Sequence, residues 1–206
     1  MRFVLAAFAL LAMTGAALAA PSADPKKAPT GSYSMDPRHS LVVFAIPHLG
    51  ITDYYGRFDR VTGSLSFNAG APEKSSVNVT IDMTTIDTPS KELIGELSGG
   101  SVFDAAKYPT ATFKSTAVTR TGPNTGTITG DLTIKGITKP IEATGSWTAP
   151  APDAFGNTRG HLNLEAVIDR TEWDINWNLP LPSGGNVLAN DVTLTVEISL
   201  VEQQQA

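Results

Sequence analysis

The stretch Thr125–Trp147, TGTITGDLTIKGITKPIEATGSW, leaves the least freedom to this chain, because apolar and polar residues alternate on both sides of one short reversal. Ile128, Leu132, Ile134, Ile137, Ile141 and Trp147 are apolar, with Thr, Lys and Asp between them, which is a β period and not a helical one. Only Lys135 and Gly136 separate Ile134 from Ile137. So tight a turn needs a residue at positive φ, and Gly136 supplies one without steric cost. Pro140 has no N–H to give a ladder and is expected at a bulge or a frayed strand start.

The same alternation recurs along the chain. In Lys74–Met83, Val77, Val79, Ile81 and Met83 share one face, while Asn78, Thr80 and Asp82 share the other. Ser40–His48 is apolar on both faces, as in a strand that is buried on one side and covered on the other. Tyr54–Phe58 and Gly63–Phe67 read as two further strands with a turn near Arg60–Thr62. Ala111–Arg120, His161–Asp169 and Val192–Leu200 complete the set, and a loop rich in Pro and Gly is expected over Ala149–Gly160. The period changes only at PSKELIGEL, Pro89–Leu97, where Leu93, Ile94 and Leu97 fall at helical spacing, Thr88 or Ser90 can cap, and Gly99–Gly100 ends the run. About eight to ten antiparallel strands with one short helix and no internal repeat predict an all-β barrel or sandwich. The aromatics form no pair of girdles and the helix interrupts the strand order, which argues against an outer-membrane barrel.

The ends of the chain read differently. Met1–Arg2, the apolar run Phe3–Met13 and Ala17-Leu18-Ala19 form a signal peptide cut after Ala19, which predicts a periplasmic protein. Residues 20–32 are expected as a flexible leader, 33–202 as the barrel, and 203–206 as a polar tail. The chain has 15 basic and 20 acidic residues, and removing the signal takes Arg2 with it, so no basic face for nucleic acid is expected. It contains no cysteine, hence neither a disulfide framework nor thiolate chemistry.

Little in the sequence points to catalysis. There are three histidines, His39, His48 and His161; His39 and His48 have opposite strand parity, and a zinc site needs three or four converging ligands with no Cys here to help. Gly63-Ser64-Leu65 is not a nucleophile elbow, and no glycine-rich loop opens a helix. No catalytic residue and no metal ligand is assigned. Asp169, Arg170, Glu172 and Asp174 form a charged cluster that reads as surface ion pairs, with Arg170 also able to reach inward to a ligand headgroup.

Five ordered motifs give the chain a family resemblance. They are Asp36 with His39-Ser40, Phe44 and His48-x-Gly50; Gly56-x-Phe58 with Gly63; Phe103-Asp104-Ala-Ala-Lys107-Tyr108-Pro109 with Phe113; Gly130-Asp131-Leu132-Thr133 with Lys139-Pro140; and Asp169-Arg170 through Trp177 to Asp191-Val192. In this order they resemble the YceI-like family of periplasmic, lipocalin-like proteins that bind polyisoprenoid lipids. Asp174 stands where the family pattern has a small residue, usually Gly. The resemblance implies an extended antiparallel lipocalin-like β-barrel of about eight strands around an apolar tunnel. It also implies a bound polyisoprenoid or isoprenoid quinone in place of a cofactor, transient contact with membrane lipid, and a monomer or homodimer. The candidate lining and mouth residues are Val42, Phe44, Ile46 and His48, then Phe58, Phe67, Phe103 and Phe113, then Leu132 and Ile134, and finally Arg170, Trp173 and Trp177.

Overall fold

The computed structural model describes residues 28–203. Its strands are β1 (Gly31–Met35), β2 (Leu41–His48), β3 (Thr52–Phe58), β4 (Val61–Phe67), β5 (Ser76–Asp82) and β6 (Ile86–Asp87). The helix α1 (Lys91–Ser98) follows, then β7 (Thr110–Arg120), β8 (Thr125–Ile134), β9 (Ile137–Pro152), β10 (Thr158–Asp169) and β11 (Asp191–Glu202). Every pairing is antiparallel. The order β1-β4-β5-β7-β8-β9-β10-β11, with β11 returning to β1, makes a closed ring of eight.

The remaining three strands continue members of that ring. β1 and β2 lie on the same edge of β11, Met35 opposite Leu200 and Val42 opposite Val196. β3 pairs with β2, and β6 with β3. The barrel is therefore eight up-and-down staves, three of them broken side by side: β1/β2 at Asp36–Ser40, β3/β4 at Asp59–Arg60, and β5/β6 at the 3-10 turn Met83–Thr85. The turn expected near Arg60–Thr62 is one of these breaks and not a chain reversal. Asp59 and Arg60 donate their backbone N–H groups to the Thr85 carbonyl and Oγ1, so they leave the ladder without turning the chain back.

In the β8–β9 hairpin the pairing runs without a slip from Ile134–Ile137 to Thr125–Ser146. Both turn residues, Lys135 (φ 50°) and Gly136 (φ 75°), are left-handed, as a two-residue turn of this hand requires. Pro140 occupies neither a bulge nor a frayed start; it sits opposite Asp131 inside β9. β10 pairs with β9 only from Thr144 onward, so the far edge is open at Pro140 and its missing N–H costs nothing there. The helix begins as read, with Ser90 Oγ accepting from the Leu93 N–H.

Two boundaries move. β9 and β10 extend into the expected Ala149–Gly160 loop and leave residues 153–157, where the Asp153 carboxylate accepts from the Phe155 and Asn157 N–H groups. The leader is packed from Ala28, which is buried; Thr30 Oγ1 accepts from the Ala69 N–H, and Gly31 and Ser32 already belong to β1. The signal peptide, residues 20–27 and residues 204–206 lie outside the described residues.

At the end of the barrel where β10 begins, Arg159 Nη1 donates to Asp36 at 2.6 Å, and its Nε reaches Asp153 at 3.4 Å. Burial alone would raise the Asp36 pKa, but hydrogen bonds from Arg159, His39 and the Arg38 N–H outweigh it and hold the carboxyl well below its ordinary value. Chiefly the Asn157 N–H holds Asp153 at about 2.

Candidate ligand cavity

Strand parity places Phe44, Ile46 and His48 of β2 on the inner face, opposite Tyr54 and Phe58 of β3. Phe44 faces Gly56 across the pair, where a Cβ would come within 2.2 Å of its ring, so Gly56 is what lets the ring lie flat against β3. Phe103 completes an aromatic cluster, with its ring centroid 6.4 Å from Phe44 and 5.6 Å from Phe58. The turn that carries Phe103 is held by the Asp104 carbonyl, which accepts from the Lys107 and Tyr108 N–H groups.

These residues wall a cavity of about 510 Å³, which Met83, Ala111, Ile134, Ile168, Val192 and Leu194 extend around the barrel. Leu93 and Leu97 of α1 cover one side. The volume lies within the range of about 300–1,000 Å³ usual for small-molecule sites. Over the mouth runs the segment Ile175–Ala189, which contains no charged residue and contributes Ile175, Trp177, Val187 and Leu188 to the wall. This strap is tied to the β2 end: the Leu49 N–H donates to the Val187 carbonyl, and the Ala189 N–H to that of Pro47.

Arg170 fastens the strap from below. It follows β10, is buried, and donates through Nε to the Ala189 carbonyl (2.9 Å) and through Nη1 to the carbonyls of Ile175 and Trp177 (3.1 Å for the latter). Burial pushes its pKa down. The predicted surface ion pairs do not form around it, because Asp169 turns away to accept from the N–H and Oγ1 of Thr171. Asp174 is left-handed (φ 56°) at the end of the 3-10 turn, which is why a family pattern with Gly there tolerates Asp, a short polar residue that enters this region more readily than most.

A second cavity of about 100 Å³ lies at the opposite end, lined by Leu65, Val77, Ile128, Leu162, Leu164 and the Phe67–Trp147 pair, whose rings stack at 4.5 Å. The two cavities share no wall residue. Between them, six of the eight staves carry an inward, packed residue: Val42, Val79, Phe113, Leu132, Ala166 and Val196. The bore is thus two chambers with a side-chain layer between them.

Of the sequence-predicted residues, Phe44, Ile46, His48, Phe58, Phe103, Ile134, Arg170 and Trp177 line the large cavity, and Phe67 lines the small one. Val42, Phe113 and Leu132 belong to the layer between. Trp173 lines neither; it is buried beside β8, and its Nε1 donates to the Leu132 carbonyl at 3.2 Å. Residues that sequence reasoning missed include Tyr54, Met83, Ala111, Leu188, Val192 and Leu194. Val192 and Leu194 carried a usable signal, their place in the β11 alternation. Leu188 carried none. Among the described residues no three His, Cys, Asp or Glu side chains converge as metal ligands would. His39 pairs with Asp36, and His161 with Glu197, both on the outer surface.

Residues 33–200 match the YceI-like domain. This chain belongs to the YceI-like family. A UPF0312 protein of Ectopseudomonas mendocina is 34% identical over 155 residues, covering 74% of this chain and 81% of that one. Among solved structures, Burkholderia cenocepacia BcnA superposes with a TM-score of 0.67 at 22% identity, covering 80% of this YceI-like chain and 98% of BcnA. A Saccharophagus degradans domain, described as polyisoprenoid binding and implicated in plant cell wall breakdown, gives 0.63 at 17% identity over 83% and 98% of the two chains.

Proposed function

We propose that this YceI-like protein is a periplasmic, non-catalytic lipid-binding protein that holds or carries a polyisoprenoid, with an isoprenoid quinone among the candidates. The observation that carries the reading is the apolar cavity of about 510 Å³, enclosed by β2, β3, α1 and the strap. The polyisoprenoid-binding description of the Saccharophagus domain supports the ligand class. The lipid is the only bound group this reading needs, with no resident cofactor. The N-terminal signal pattern supports the periplasmic location.

Energetics favour exchange with a bilayer over capture from water. Each buried methylene is worth about 0.8 kcal/mol against water, and almost nothing against a membrane that already shields it. The cavity mouth suits such exchange. Ile51 is 83% exposed at the β2–β3 turn, with Leu49 beside it, and Leu179 and Trp177 stand exposed on the uncharged strap. We expect transient contact with lipid here.

The test is native mass spectrometry of the protein taken from its own periplasm, with organic extraction of the same sample. A discrete added mass that extracts as an isoprenoid supports the reading. Bare protein that also refuses polyisoprenoids offered in detergent would replace it with a barrel whose interior serves only stability.

A further inference from the structure

The strand β7 runs past both chambers and carries part of what divides them. Ala111 lines the large chamber, and Phe113 stands two residues further along the same inner face. After the shift in register between Ser115 and Ala117, Val118 lines the small chamber. Phe113 is the only aromatic member of the dividing layer, and in register it stands between Val79 of β5 and Leu132 of β8. Its ring leans over Gly130, where an added Cβ would come within 2.5 Å of the ring. Gly130 is itself buried, between Leu132 in the layer and Ile128 on the wall of the small chamber. The ring thus covers the inner side of β8 as well as β7, as a floor beneath the large chamber.

We infer that this floor limits the length of the bound chain, with Phe113 as the residue that sets the limit, so that the protein takes short prenyl chains, up to about four isoprene units, and excludes longer ones. This rests on the lipid-binding reading above and narrows it to a length class. An apolar cavity of about 150 Å³ holds one benzene molecule, which allows about 25 Å³ for each carbon. At that density the chamber of about 510 Å³ holds roughly 20 non-hydrogen atoms, the carbons of about four isoprene units. The further 100 Å³ or so beyond the floor is out of reach while the ring is in place. A close-packed layer does not stretch to let a longer chain through. The surplus must then stay in water, where each methylene costs about fourfold in affinity, so one extra isoprene unit already costs well over about tenfold.

The experiment offers the unmodified protein four prenyl alcohols that differ only in length, and reads the loaded fraction by native mass spectrometry. Farnesol and geranylgeraniol, of three and four isoprene units, load; pentaprenol and solanesol, of five and nine, load at least about tenfold less. Loading of either longer alcohol equal to that of geranylgeraniol overturns the length limit and leaves the lipid reading standing. Failure of all four to load overturns both. Phe113→Ala, checked for folding by circular dichroism, joins the two chambers: pentaprenol loading should rise about tenfold while farnesol loading changes by less than about twofold. Unchanged pentaprenol loading in the folded variant overturns the role of Phe113. Should that variant not fold, nuclear Overhauser contacts in the unmodified protein decide. Bound geranylgeraniol touches the Phe113 ring and does not reach Trp147 in the small chamber, and contacts to Trp147 overturn the assignment.

Discussion

Below the layer of Val42, Val79, Phe113, Leu132, Ala166 and Val196, inward side chains meet across the bore and leave about 100 Å³; above it they stand back around about 510 Å³. The same eight staves build both halves. What differs is their continuity. At the closed end β4 pairs with β1, and β1 with β11, so the ring is complete. At the other end β2, β3 and β6 have left that register, and α1 and the strap cover the opening. Ladder closure fills a barrel; three adjacent breaks let it widen, and side chains from helix and loop then seal the space without filling it.

This contrast can be broken most directly on one strand. Leu200 and Leu194 share the inner face of β11, Leu200 fully buried in the closed half and Leu194 on the cavity wall. Urea unfolding of Leu200→Ala should show a loss of about 2–5 kcal/mol, the usual cost of truncating a packed leucine. Leu194→Ala borders existing space and should lose less than about half of that. Equal losses would mean that the wide half is packed as tightly as the narrow one.

Filling the space separates stability from binding. Ala111→Phe projects a ring into the large cavity, and we expect polyisoprenoids to bind about tenfold more weakly or worse, with the melting temperature nearly unchanged. Undiminished binding would place the ligand elsewhere.

Acid should loosen the closed end first. The pKa values of Asp36 and Asp153 are depressed in the folded protein below the ordinary value of about 3.9. Their contribution is therefore fully present above about pH 4 and lost as pH falls toward 2 and below. Asp36→Asn lowers stability at pH 7, and its difference from the parent protein should shrink between about pH 4 and pH 2. A constant difference across that interval would deny the carboxylate its role.

The smallest effect belongs to Trp147, whose buried Nε1 has no partner among the described residues. Trp147→Phe removes that unpaired donor and keeps a ring to stack on Phe67, so stability should change by less than about 1 kcal/mol. Polyisoprenoid affinity should not move at all.

Much of this was legible in the sequence. Alternation located nearly every stave, Gly136 located the hairpin turn, and Ser90 the helix cap. The three breaks were not legible, because Val61 and Leu65 resume the alternation that Phe58 ends, and a kink leaves the same pattern as a turn. Nor could alternation separate Phe44, on the cavity, from Val42, in the packed layer, since both point inward and both are apolar. Arg170 read either as a surface ion pair or as a group reaching inward, and the sequence could not choose, because its partners are backbone carbonyls and those have no letter in a sequence. The strap has no period at all, being held by its main chain and by the Asn178 side chain, which donates to the Leu188 carbonyl and accepts from its N–H.

The seam that shuts the ring sets Tyr33 against Glu202 and Met35 against Leu200, positions near the two extremities of the described chain. A nascent chain has made every other strand of the ring before β11 appears, and β1, β2 and β10 all wait for it. Such long-range closure is slow, and until it happens two unpaired strand edges face the surroundings. Loss of β11 would thus produce an open sheet prone to self-association and not a smaller barrel, which makes β11 the strand whose removal the fold tolerates least.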